Sequence, residues 1–117
     1  MLLNPDGVPI QLVINPPQEI QFKGGLYFRT LVLQAGGVGG QHAHQWDHAT
    51  MIVTGSARLW SGAKVLGDYK AGEIAEVKAG EIHVFEALED NTKLMCIWPE
   101  SIGEELNETF PPNSQRS

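Results

Sequence analysis

The chain has one cysteine among its 117 residues, Cys96, so no intrachain disulfide can staple it and its stability has to come from packing. Cys96 sits in the apolar run Lys93-Leu94-Met95-Cys96-Ile97-Trp98, where a buried, inert thiol is expected. Clusters of lysine or arginine are missing too. With a net charge of -6 and a pI near 5.0, the chain lacks the basic footprint that a phosphate backbone requires, which argues against nucleic acid as a partner. No run approaches the roughly 18 apolar residues of a membrane span, so no membrane association is expected. Met1-Leu2-Leu3-Asn4-Pro5-Asp6-Gly7 carries neither a basic region nor a long apolar segment, and a cytoplasmic location is the expectation. Histidine occurs at four positions in all.

What is present fits one compact all-β domain. Hydrophobic residues make up 42% of the chain, and 117 residues lie within the commonest domain size, with no room for a second core. Residues 1–112 are read as that domain and 113–117 as a flexible polar tail. Short apolar segments alternate with glycine and proline. Strands are expected at Gln11 to Ile14, Ile20 to Phe22, Leu26 to Gln34, His42 to His44, Thr50 to Thr54, Ala57 to Trp60, Ile74 to Val77, His83 to Ala87 and Lys93 to Trp98. Turns are expected at Asn15-Pro16-Pro17, Lys23-Gly24-Gly25, Gly36 to Gly40, Ser61-Gly62, Lys70-Ala71-Gly72 and Lys78-Ala79-Gly80. Many short strands at this spacing predict a barrel or sandwich, and the thirteen glycines supply the tight hairpins. One helix is expected over 101–108, with Ser101 as its N-cap and Pro111-Pro112 stopping it.

All four histidines fall into one pattern, Gly36-x5-His42-x-His44-x3-His48-x6-Gly55, then Gly72-x5-Lys78-x-Gly80-x2-His83. On a strand, side chains two apart share a face about 6 to 7 Å from each other, so the imidazoles at 42 and 44 can tilt onto one ion. His48 has the same parity, but a straight strand would carry it roughly 13 Å beyond His44, so Gln45-Trp46-Asp47 must bend the chain. His83 has to arrive from another strand, which a small curved barrel allows. His44 and His48 are also four apart and could share a helix face. Gly36, Gly37, Gly39 and Gly40 before them and Thr50-Met51-Ile52-Val53-Thr54 after them favour the strand.

Over positions 36 to 87 the constellation resembles the two motifs of the cupin superfamily, G-x5-H-x-H-x3,4-E-x6-G and G-x5-P-x-G-x2-H-x3-N. His48 stands where most metal-binding cupins have glutamate. The stretch His42-Ala43-His44-Gln45-Trp46-Asp47-His48 is similar to the H-x-H-x-W-[DE]-H segment of small single-domain bacterial cupins with four histidines. Lys78 replaces the motif's proline and Ala87 its asparagine, so that turn and that strand end are built differently. The resemblance implies a single double-stranded β-helix, or jelly-roll, barrel. It implies His42, His44, His48 and His83 as ligands of one divalent transition metal ion, with Mn, Fe or Ni favoured and Cu or Zn open. It also implies a homodimer, for which the run from Val8 to Ile14 is a candidate exchange strand.

Around such an ion, Asp47 is a candidate to orient a ligand imidazole, though strand alternation also permits it to face outward as an exposed loop residue. Trp46 is a candidate wall or cap of the barrel end, and Phe85, in parity with His83, either lines the pocket or is ordinary core. Arg29 shares a strand face with Tyr27, Leu31 and Leu33, and would meet an anion if that face points inward. Imidazole suits Zn, Cu, Fe and Ni, and four neutral ligands leave the ion's charge undiminished, which favours Lewis acidity and a reduced metal. Three functions follow: a dioxygenase-like oxidoreductase acting on a small organic molecule, a redox-neutral isomerase or lyase, and a non-catalytic binder of a small ligand or metal. With Asp47 the nearest carboxylate and no obvious general base, the first is favoured.

Overall fold

The computed structural model describes residues 2–3, 9–10, 18–39, 47–80 and 82–109. Two short strands, β1 (Leu2–Leu3) and β2 (Pro9–Ile10), pair antiparallel as a separate ribbon. The barrel is made of two further sheets. One has five strands in the order β3 (Glu19–Lys23), β4 (Leu26–Leu33), β11 (Thr92–Pro99), β6 (His48–Thr54) and β9 (Ile74–Val77). The other has four, in the order β5 (Val38–Gly39), β10 (His83–Ala87), β7 (Ser56–Ser61) and β8 (Lys64–Lys70). Every pairing is antiparallel. Among the described residues one helix, α1 (Glu100–Thr109), follows β11.

Period-two patterning decides which way each strand faces. Thr92, Leu94, Cys96 and Trp98 of β11 are buried, while Lys93, Met95 and Ile97 between them are half-buried on the outside. Register stacks the inward residues in rows: Leu31, Leu94 and Ile52 lie side by side across β4, β11 and β6. These three join Leu33, Ala57, Leu59, Ala75, Val77, Phe85 and Ala87 in the main core between the sheets. Burying a leucine or isoleucine of this kind stabilises by about 1.5–3 kcal/mol, which makes these rows the principal fastening of one sheet to the other. A smaller cluster, Tyr27, Cys96 and Trp98 with Ile20 and Ile102 against it, lies next to the main core under α1.

Two glycines permit close approaches. Gly55, at φ +78° between β6 and β7, lies against Thr92, where a Cβ would collide with that side chain. Gly103 brings α1 onto the face of Tyr27, with no space there for even a methyl group.

Most expected strands match, β9 and β10 at the expected bounds, while four expectations are corrected. β6 begins two residues earlier than expected, at His48, because His48 to Met51 pair with β9. Lys64–Lys70 is a strand that the sequence did not signal: it is a largely exposed edge whose Gly67 and Asp68 interrupt any alternation. The glycine-rich turn over 36–40 contains β5, since Val38 and Gly39 pair with Glu86 and Phe85 of β10. Ser101 is not the N-cap. The helix starts at Glu100 directly after β11, and the Glu100 N–H donates to Gly25 O at 3.1 Å, a tertiary partner in place of a side-chain cap. The strands expected at Gln11 to Ile14 and His42 to His44, the Pro111-Pro112 stop and the 113–117 tail lie outside the described residues, as does most of the proposed exchange segment.

Candidate metal centre

Two of the four motif histidines, His48 and His83, are described, and the topology brings both to one end of the barrel. His48 opens β6, and its register partner is Val77, the last residue of β9. From Val77 the chain runs through the 78–80 turn to His83, which opens β10. His48 shares parity with the buried Thr50 and Ile52, and His83 with the buried Phe85 and Ala87. Each imidazole therefore belongs to the inner face of its sheet, one on each wall. His83 is 2% exposed, whereas His48 is half-buried.

His48 is held by an aromatic neighbour. Its ring stacks on Trp98, with centroids 4.3 Å apart and planes 24° from parallel. Trp98 in turn lies 5.7 Å from the Tyr27 ring, and Tyr27 5.0 Å from Phe22. Trp98 was not among the candidates drawn from the sequence; its parity with Cys96 and Leu94 was the signal that it faces inward beside His48.

Asp47 does different work from the orienting role considered for it. Its Oδ1 accepts the Ala79 N–H at 2.7 Å, and its Oδ2 lies 3.7 Å from Lys78 Nζ. Lys78 also bonds Glu76, and these two carboxylates, Glu76 first, hold the lysine above its usual pKa. All three side chains are more than half exposed. Asp47 thus fastens the 78–80 turn, which leads to His83, to the residue preceding His48. It is the outward-facing alternative that the structure places here.

Phe85 is 3% exposed and packs in the main core with Leu31, Leu33 and Ile52. Ala87, in place of the motif asparagine, is 1% exposed in the same core. Its backbone exchanges two hydrogen bonds with 36–37: Gly36 N–H to Ala87 O and Ala87 N–H to Gly37 O, each 2.9 Å. His42, His44 and Trp46 lie outside the described residues. Among the described residues no group of three or more His, Cys, Asp or Glu stands together as a ligand set. The imidazole donors on the inner faces do match the softness of a late first-row divalent ion.

At the β6–β9 edge there is a cavity of about 450 Å³, lined by Asp47, His48, Ala49, Ile74, Ala75 and Glu76, and four of these, Asp47, Ala49, Ile74 and Glu76, belong to the outer side of the sheet. On the inner wall of the five-stranded sheet, Arg29 is buried at 7% exposure and donates from Nε to Tyr27 Oη at 2.9 Å. Thr50 donates to Cys96 Sγ at 3.3 Å, and burial pushes the Cys96 thiol pKa up. Burial also raises the Tyr27 phenol, although Arg29 works against it. No helix among the described residues is long and apolar enough to cross a membrane.

Several solved structures that superpose on this chain are described as cupins. A cupin 2 conserved barrel domain protein from Salinispora arenicola superposes with a TM-score of 0.62 over 93% of this chain and 98% of that one, at 18% identity. A cupin-2 domain containing protein from Shewanella frigidimarina gives 0.59 over 74% and 82%, at 17% identity. The fold is the cupin barrel. KdgF from Halomonas sp. is similar to the same degree, with a TM-score of 0.59 over 73% of this chain and 81% of that one, at 17% identity. No protein-family model matches the chain, and no curated protein does. At these identities the likeness carries the cupin barrel and leaves the chemistry to the residues.

Proposed function

We propose that the chain is a metal-binding member of the cupin superfamily in which His42, His44, His48 and His83 hold one divalent transition metal ion. The observation that carries this reading is the placement of His48 and His83 on the inner faces of opposite sheets at the same barrel end. The described residues that flank 40–46 support it as well. Gly39 pairs with Phe85, two residues from His83, and Asp47 adjoins His48, so the two residues that flank 40–46 both lie beside strands that carry these histidines.

A divalent ion held by these imidazoles would supply Lewis acidity and, for Mn, Fe or Cu, one-electron redox chemistry. Around it, the chain's own residues exclude water from one side through Trp98 and Phe85 and set the His48 ring by stacking. We infer that the reaction is oxidative and dioxygenase-like, on a small organic molecule. Asp47, the carboxylate nearest in sequence, is engaged by Ala79 and Lys78 on the outside, which removes the obvious proton-transfer base that an isomerase or lyase would use.

The test is elemental analysis of tag-free protein purified without added metal, followed by oxygen uptake. Near-stoichiometric Mn, Fe, Ni or Cu, lost in His48→Ala and His83→Ala, is the expected result. Wild-type metal content in both variants would remove the proposal.

A further inference from the structure

The inner wall of the five-stranded sheet ends, at the histidine side of the cupin barrel, in a row of rings. Phe22, Tyr27 and Trp98 are register neighbours across β3, β4 and β11, and His48 of β6 closes the row by stacking on Trp98. Centroids are 5.0 Å apart for Phe22 and Tyr27, 5.7 Å for Tyr27 and Trp98, and 4.3 Å for Trp98 and His48. The two middle rings are buried, whereas Phe22 is partly exposed. Interiors packed in this way pass displacements on, so a shift of Tyr27 reaches His48 through one intervening ring.

Tyr27 is also where α1 rests on the barrel. Gly103 lies so close that a Cβ there would overlap Cβ, Cγ and Cδ1 of Tyr27, and Ile102 packs against the cluster of Tyr27, Cys96 and Trp98. The helix start is tied to the same hairpin, since Gly25 O, which accepts the Glu100 N–H at 3.1 Å, belongs to the turn between β3 and β4. The far end of the Tyr27 ring is pinned as well, because its Oη accepts the Arg29 Nε–H at 2.9 Å. An imidazole turns easily about its last torsion, which has broad, two-fold preferences. A histidine that must aim one nitrogen at an ion therefore needs neighbours that hold its ring.

We propose that α1 braces the metal centre: Tyr27 and Trp98 are positioning residues that pass the seating of the helix on to the His48 ring. The proposal rests on the reading of His48 as a metal ligand and adds the element that aims it. Both positioning residues act through His48.

The probe is Ni²⁺ alone, titrated at fixed pH into the full chain after removal of metal by chelator. The second readout is the proton NMR signals of the His48 ring in the metal-free chain, assigned by their loss in His48→Gln. The Trp98 ring current should displace these signals in the wild type, and Trp98→Leu should abolish the displacement. Gly103→Ala, which pushes the helix off Tyr27, should reduce the displacement and weaken Ni²⁺ binding by about tenfold. Ile102→Ala should act in the same direction, and it carries the comparison if Gly103→Ala fails to fold in a thermal melt. Leu33→Val, in the main core at the other end of β4, lowers stability away from α1 and should change neither readout. The proposal is overturned by His48 signals without a Trp98 displacement in the wild type, by signals unmoved in both helix variants, by an equal movement in Leu33→Val, or by unchanged Ni²⁺ affinity where the signals do move. A wild-type chain that binds no Ni²⁺, while the helix variants still move the His48 signals, would refute the metal reading alone and leave α1 as the hold on His48.

Discussion

Asp47 Oδ1 accepts the backbone N–H of Ala79 at 2.7 Å, joining the residue before His48 to the turn that leads to His83. The bond is exposed, so its net contribution is about 1 kcal/mol, and Asp47→Ala should lower the melting temperature by about 4 °C. Asp47→Asn keeps an acceptor oxygen at the same place and should restore most of that loss. Metal content in Asp47→Asn should stay near the wild-type value, because the carboxylate charge points at Lys78. A large fall in metal in the asparagine variant would mean that the charge itself supports the ion.

That relationship was only half legible in the sequence. The inner-face placement of His48 and His83 follows from parity with Thr50, Ile52, Phe85 and Ala87, and strand β9 can be drawn to the residue because turn signals bound both its ends. The Asp47 bond could not be read, since it depends on how β6 and the 78–80 turn are packed. β8 was hidden for a different reason: as an edge strand it needs no buried alternation, and Gly67 and Asp68 speak for a turn. β5 is a strand only because β10 lies beside it, and its glycine-rich composition argues locally for a loop. Ser101 looked like a cap because the true partner of the helix start, Gly25 O, comes from a distant hairpin.

Gly103→Ala sets helix propensity against packing. In an isolated helix the change would stabilise by about 1 kcal/mol. Here the added methyl would collide with Cβ, Cγ and Cδ1 of Tyr27, whose ring is fully buried. Overpacking of this kind costs about 1–3 kcal/mol, so the variant should melt lower than wild type. A higher melting temperature would show that α1 is loosely seated on the cluster of Tyr27, Cys96 and Trp98.

Alkaline pH should unfold the chain through the same cluster. Burial raises the Cys96 thiol above its ordinary 9.0 and the Tyr27 phenol above its ordinary 10.0. Both groups are neutral in either state at pH 7. Once the pH exceeds about 9, the unfolded chain releases protons that the folded chain retains, and stability falls with rising pH. Denaturant titrations between pH 7 and 10.5 should show this decline, and Cys96→Ala should make its first part shallower. By the same argument the thiol should resist disulfide reagents at pH 8 until the chain unfolds.

The outer face of the five-stranded sheet gives the last prediction. Phe28, Ile97 and Ala49 lie in one row, and Met95, Met51 and Ile74 in the next, with Ile74 61% exposed. Six apolar residues on one surface are more than a solvent-facing sheet needs, and a second copy of the chain covering it is the partner we propose. A stable dimer buries about 800 Å² per partner, within reach of a face that crosses four strands. Light scattering after size exclusion should give twice the chain mass for the wild type. Met51→Glu with Ile97→Glu should give the single-chain mass with the far-ultraviolet circular dichroism unchanged, because both side chains point away from the core. A wild-type chain that stays monomeric at 100 times the concentration used for the variants would refute the pairing, whereas a monomeric, folded double variant beside a dimeric wild type would place the interface on this sheet.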